Sequence, residues 1–217
     1  MFECTLFAGP SLTEPARAAA FANGIRLLPP VVRDDVARLV DRENPSTLVI
    51  ADGRFHEAVS VGHAELRLAL QSGWRVWGLA SIGAIRAYEM REFGMRGYGA
   101  VYDLFSRFDD FQDDEVALLH RADPPYDAGS EPLVHLRVAL HALVRAGFLE
   151  SSAAAKVTRA LKRLWYGDRT LPLFEDLINR HSTRRNRSRV RTMLQPFDRF
   201  RIKQKDLAAF LASRSLS

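Results

Sequence analysis

Between residues 47 and 90 the chain alternates short apolar runs with helical patterns. Thr47-Leu48-Val49-Ile50-Ala51 is followed by a helix over His63–Gln71, the run Arg75–Leu79 and a helix over 82–92. Wholly apolar runs of this length mark strands buried on both faces, and helices between them are the crossovers that a parallel sheet needs. The flanks extend the pattern. Residues 2–8 read as a first strand closed by Gly9-Pro10, and 12–23 as an Ala-rich helix stopped at Asn23-Gly24. Residues 25–32 read as a short strand that Pro29-Pro30 confines to a sheet edge, and 36–42 as a further helix. After Gly99 only helical patterns remain, near 100–107, 113–121, 132–146, 152–165, 172–194 and 203–213. The expected fold is therefore α/β, a mostly parallel sheet with flanking helices in the N-terminal half, packed against a C-terminal helical part. The break at Asp123-Pro124-Pro125-Tyr126-Asp127 divides an α/β core, 1–122, from a helical region, 123–217.

Composition narrows the setting. A hydrophobic content of 47% over 217 residues suffices for a real core, and no apolar run approaches the roughly 20 residues of a membrane span. The opening MFECTLFAGPS lacks the basic flank of a signal peptide and reads as a strand. A single cysteine, Cys4, forms no internal disulfide and suits a reducing cytoplasm. It sits between Glu3 and Thr5 in the first strand, on the face of Phe2 and Leu6, as a buried inert thiol. The net charge of +5 is uneven: 103–131 is acid-rich, whereas Arg180, Arg184, Arg185, Arg187, Arg189 and Arg191 crowd one segment. Such a cluster fits an acidic protein partner better than nucleic acid, because no nucleic-acid motif frames it.

Ligands of parallel α/β sheets collect at the carboxyl ends of the strands. Three segments stand there: Gly9-Pro10-Ser11-Leu12, Asp52-Gly53-Arg54-Phe55 and Ser81-Ile82-Gly83-Ala84. The third is the most telling. A serine on a strand-to-helix turn presents its hydroxyl, and the N–H groups of Ile82 and Gly83 begin a helix whose positive end can stabilise an oxyanion. The turn shares the logic of a nucleophile elbow without its G-x-S-x-G pattern, residue 79 being Leu. The plainer reading is a helix N-cap, partial because Ala84 replaces the acidic partner of a capping box. Arg86 and Glu89 lie three apart on that helix and pair there. His63 and Glu65, two apart, face different ways, and His56 is seven residues earlier, so no metal site is expected. Phe93–Gly99 is a glycine-punctuated loop, either a lid or packed under the sheet.

In this order, Gly9-Pro10-Ser11-Leu12, Ile50-Ala51-Asp52-Gly53-Arg54-Phe55, His63-Ala64-Glu65, Ala80-Ser81-Ile82-Gly83-Ala84-Ile85-Arg86-Ala87 and Phe93-Gly94-Met95 resemble the core of TfuA-like proteins. The usual S-S-M-G-A-L-R-A run has Ala80 for its first serine and Ile82 for its methionine, while Ser81, Gly83 and Arg86 stand. Further on, Gly167-Asp168-Arg169-Thr170 resembles an acidic-Arg-Thr element of the family, and Ile202-Lys203-Gln204-Lys205-Asp206 a lysine-bearing helix.

The resemblance implies work beside a YcaO-type cyclodehydratase that thioamidates a ribosomally made peptide, with sulfide supplied by hydrolysis of a thiocarboxylated ThiS-like sulfur carrier. It implies a hydrolase-like Ser–Lys pair, carried here onto Ser81 and Lys203, and no cofactor. Ser11 is an alternative nucleophile; Lys205, Lys156 and Lys162 are alternative bases. Ser11, Asp52, Gly53, His63, Gly83, Arg86 and Glu89 are assigned to substrate binding. Lysine serves as a base only when neutral, which burial favours. Two other readings stand beside this one: a non-catalytic protein that docks the YcaO enzyme and improves its grip on the precursor peptide, and a nucleic-acid-binding protein working through 180–191.

Overall fold

A computed structural model of the protein describes residues 3–54, 58–108 and 111–213; Phe2, Phe55 and His56, named above, lie outside them. The chain forms two compact units. The first comprises 1–113, 124–126 and 203–217; the second, 114–123 and 127–202.

The first unit is built on five parallel strands. β1 (Cys4–Phe7), β2 (Arg26–Leu28), β3 (Thr47–Ile50), β4 (Arg75–Leu79) and β5 (Arg96–Tyr98) lie in the order β2-β1-β3-β4-β5. The register sets Phe7 beside Leu28 and Ile50, and Ile50 beside Gly78, so the carboxyl ends of β1 to β4 are level. β2 is an edge strand of three residues, as Pro29-Pro30 requires. β5 is an unexpected strand, because Arg96-Gly97-Tyr98 is short and holds a glycine. Any side chain at Gly97 would stand 2.1 Å from the Tyr102 ring, so packing sets that residue against β propensity.

α1 (Glu14–Ala22), α2 (Asp35–Arg42), α3 (His63–Gln71), α4 (Ile82–Glu89) and α5 (Ala100–Arg107) follow successive strands, while α10 (Ile202–Ala212) joins the same unit from far along the chain. Leu6, Val49 and Leu79 of one sheet face form a core with Leu12, Ala16 and Ala20 of the α1 region and Leu207, Phe210 and Leu211 of α10. The Phe210 ring meets Trp77 at 5.4 Å and Tyr98 at 5.2 Å, both edge-on. Cys4 belongs to this core, and burial pushes its thiol up to about 11 while Arg75 pulls the other way. The thiol is inert for that reason.

The second unit is helical. α6 (Leu133–Arg145), α7 (Ser151–Lys162), α8 (Leu171–His181) and α9 (Arg187–Leu194) enclose Leu136, Leu140, Leu143, Val157, Leu161, Phe174 and Ile178. The helix expected over 172–194 is two helices, because the turn between them is pinned by Asn186, whose side-chain N–H donates to the Phe148 carbonyl at 3.2 Å. The helix expected over 113–121 is a single turn, Asp113–Glu115. Beyond it the backbone pairs with 127–130 instead: Arg121 N–H donates to Asp127, and Gly129 and Ser130 N–H donate to Leu119. Among the described residues no helix is long and apolar enough to cross a membrane.

Candidate functional site

In a sheet of order 2-1-3-4-5 the crossovers reverse direction between β1 and β3, leaving a crevice at their carboxyl ends. The residues that follow those two strands meet there. β1 runs into the tight turn Gly9-Pro10-Ser11, closed by Leu12 N–H on the Gly9 carbonyl at 2.9 Å. β3 runs into Ala51-Asp52. The Asp52 carboxylate accepts Gly9 N–H and Ser11 N–H on Oδ2, both at 2.9 Å, and the Ser11 hydroxyl on Oδ1 at 2.8 Å. Lys203 Nζ, from the first turn of α10, lies 3.9 Å from Asp52 Oδ1. Ser11 is fully buried, and Asp52 and Lys203 are each 2% exposed. Removing a carboxylate and an ammonium from water costs several kcal/mol each before pairing offsets it. A cluster of this kind at a strand-end crevice is therefore a candidate site rather than a device for stability.

Ser81 sits one strand further along, on the turn from β4 into α4. The turn is sharp: Ala80 has φ 63° and Ser81 φ −132°, ψ −122°. Left-handed backbone at a residue with a Cβ costs about 1 kcal/mol or more and marks functional turns. The Ser81 hydroxyl makes no capping bond to α4, which removes the plain N-cap reading. Its N–H donates to the Ala51 carbonyl at 3.2 Å, tying the turn to the residue before Asp52. Gly83 plays a different part from the anion donor expected of it. Its N–H points to that same Ala51 carbonyl at 3.4 Å, and a Cβ on it would stand 1.8 Å from the Ile50 carbonyl oxygen. Gly83 lets α4 lie directly on β3, which sets where Ser81 stands. Gly53 is similarly enclosed, 2.9 Å from the Val31 carbonyl by the same measure.

The remaining expected residues form a second cluster. Arg86 donates from Nε to the Val61 carbonyl at 2.9 Å and from its terminal nitrogen to Glu89 at 2.6 Å, and Glu89 meets His63 Nε2 at 2.7 Å. Arg86 is 14% exposed and His63 56%, so the guanidinium is fixed and the imidazole presented. Glu65 turns away, as the spacing required. It accepts N–H groups from Asp34 at 3.2 Å and Val36 at 3.1 Å, holding the start of α2.

The lysines separate by environment. Lys156 and Lys205 are exposed, Lys162 lies 3.4 Å from buried Glu115, and Lys203 alone of the four is buried. α10 carries two further polar groups into the unit. Gln204 donates to the Pro10 carbonyl at 3.2 Å, and its buried Oε1 has no protein partner. Asp206 accepts N–H from Ala100 and Val101, each at 2.9 Å, so its carboxylate caps α5. Burial pushes Asp206 up to about 6 from 3.8; those two N–H donors pull it down and Asp103 adds to the rise. Between these values the folded chain holds a proton that the unfolded chain has released. The stabilising contribution is thus present below 3.8 and lost as the pH rises through 6. Urea unfolding from pH 4 to pH 7 should show stability falling less steeply in Asp206→Asn than in the parent. Equal slopes would assign the dependence to other groups.

Two features escaped the sequence. Residues 124–126, in the expected break, belong to the α/β unit, and the Tyr126 ring stands against Gly9, within 3.5 Å of where a Cβ would be. The Gly167–Thr170 element is structural. Arg169 is fully buried, donating to the carbonyls of Leu161, Leu164 and Asp114 and to the Asp114 carboxylate, while Thr170 caps α8. Among the described residues no cluster of three His, Cys, Asp or Glu is placed to hold a metal.

A family model described as TfuA-like protein matches residues 52–170, more than half of the chain. Asp52, Gly53, His63, Ser81, Gly83, Arg86 and Glu89 fall inside that span, and Ser11 and Lys203 outside it. No curated protein matches the sequence.

Proposed function

The chain belongs to the TfuA-like family, and from that premise we propose that it releases sulfide from a carrier protein's terminal thiocarboxylate for a YcaO-type enzyme. Membership fits an accessory role in peptide thioamidation. The observation supporting a hydrolytic role is the buried Lys203–Asp52–Ser11 cluster at the β1/β3 crevice, with the uncapped Ser81 turn bonded to the adjoining Ala51.

A thiocarboxylate is an anion and resists attack. A carboxylate near an amine favours the ammonium form, so Lys203 begins as an acid. It gives a proton to the thiocarboxylate sulfur, which removes the substrate charge, and as a neutral amine takes the Ser81 hydroxyl proton. The Ser81 oxygen bonds to the carbonyl carbon, the C–S bond breaks, and hydrosulfide leaves with the proton it received. Water then cleaves the ester to the carboxylate, and Lys203 ends as it began. Asp52 holds Lys203 and, through Ser11 and Gly9, the β1 turn. The fixed Arg86 places positive charge on the same helix as the nucleophile.

The test is sulfide release from a thiocarboxylated ThiS-like carrier by the protein alone. Release that falls at least a hundredfold in Lys203→Met and is unchanged in Lys205→Ala is expected. No release by the parent protein, with tighter peptide binding by the YcaO enzyme in its presence, would establish the docking role instead.

A further inference from the structure

A second cavity lies apart from this crevice, in the same unit. It has a volume of about 490 Å³ and runs between edge strand β2 and helix α2. Its floor is apolar: Phe7, Leu28 and Leu39. Its walls carry Arg26, Arg38, Arg42 and Arg54, against the carboxylates of Asp35 and Glu43 alone. Arg26 pairs with Glu43 and Arg38 with Asp35, which holds those guanidinium groups in place and leaves the lining two charges positive.

Shape narrows the occupant. The lining residues run from Asp35 at the start of α2 to Arg42 at its end, and eight helical residues span about 12 Å. An extended peptide advances about 3.3 Å per residue, so about four residues fill the trough. One end lies at the carboxyl edge of the sheet, where Arg54 stands two residues after Asp52. At that edge Pro30 packs on Gly9, its Cγ 2.5 Å from where a Cβ would stand.

We propose that this trough binds an extended, acidic peptide segment, the tail of the carrier, and aims its terminus at the Asp52 crevice. The inference rests on the reading of that crevice as the place where a terminal thiocarboxylate reacts. Arginine matches carboxylate side chains in two-point contacts, and the apolar floor takes the residues between them. The arginines of the trough thus govern capture of the carrier, while Ser81 and Lys203 govern its chemistry.

Fluorescence anisotropy with a labelled Glu-Leu-Glu-Ala-Gly-Gly hexapeptide, bearing an ordinary terminal carboxylate, tests binding without turnover. Saturable binding is expected, weakened about tenfold by Arg38→Glu/Arg42→Glu and about threefold by Arg42→Gln, and unchanged in Ser81→Ala. A peptide with Lys in place of both Glu should not bind. In turnover of the whole carrier, Arg42→Gln should raise KM and leave kcat alone. No binding of the acidic peptide, or equal binding by parent and both arginine variants, would overturn the proposal. Displacement of the peptide by millimolar inorganic phosphate that itself depends on Arg38 and Arg42 would make this a small-anion site and also overturn it. A protein that binds the peptide but releases no sulfide would retain the trough and lose the hydrolytic reading.

Discussion

Alanine at position 81 is expected to lower sulfide release by a factor on the order of 10³ or more, the usual consequence of deleting a nucleophile. Its melting temperature should stay within a few degrees of the parent's. The two halves of this expectation come from one observation. A serine that caps a helix loses about 1 kcal/mol on truncation, but the Ser81 hydroxyl makes no capping bond, and its N–H to the Ala51 carbonyl survives the change. The turn itself is shaped by Ala80 at φ 63°, which is untouched. Full release by a well-folded Ser81→Ala would pass the role to Ser11. Ser11→Ala would then be silent only if neither serine reacts.

Two residues further on, the same conservative change should do the opposite. Gly83→Ala is expected to cost about 3 kcal/mol or more, because its Cβ would stand 1.8 Å from the Ile50 carbonyl oxygen and 2.6 Å from the carbonyl carbon. These are backbone atoms in the middle of a sheet and have no rotamer by which to give way. Alanine would gain up to about 1 kcal/mol of helix propensity over glycine, which the overlap exceeds. A fall in melting temperature of roughly 10 °C follows for a chain of this size. An unchanged midpoint would mean that α4 can lift from β3 at little cost. Gly78 lies on the other side of this contact, its own Cβ position 2.0 Å from the Gly83 carbonyl. The pair explains why a strand of large apolar residues carries a glycine.

Features set by local pattern were the ones readable from the chain. Alternation of apolar runs with helical periods located β3, α3, β4 and α5 to within a residue, and Pro29-Pro30 placed β2 at an edge. The three strand-end turns were visible for the same reason. What they do to one another was not. Ser11 and Asp52 are 41 residues apart and bond because β1 lies beside β3, a fact of strand order. Lys203 was one of four lysines until burial separated it from the rest. The buried pairs of the second unit left no local trace either. Glu131, for instance, is joined to His135 and Arg201. Burial raises the Glu131 carboxyl, yet those two partners bring it below the usual carboxylate range. The trough beside β2 was equally hidden, because its arginines come from a strand, a helix and a loop that sequence treats as separate.

The position of α10 in the chain bears on how the protein is made. The five strands are complete once Tyr98 has been synthesised, yet one sheet face stays bare until Leu207, Phe210 and Leu211 arrive. The ribosome delivers those residues together with Lys203, from one helix. A nascent chain therefore gains its covered sheet and its acid–base group in the same event. A chain that stops before that helix is expected to expose an apolar sheet and be cleared or aggregate, instead of persisting as a half-built hydrolase that holds carrier without discharging it.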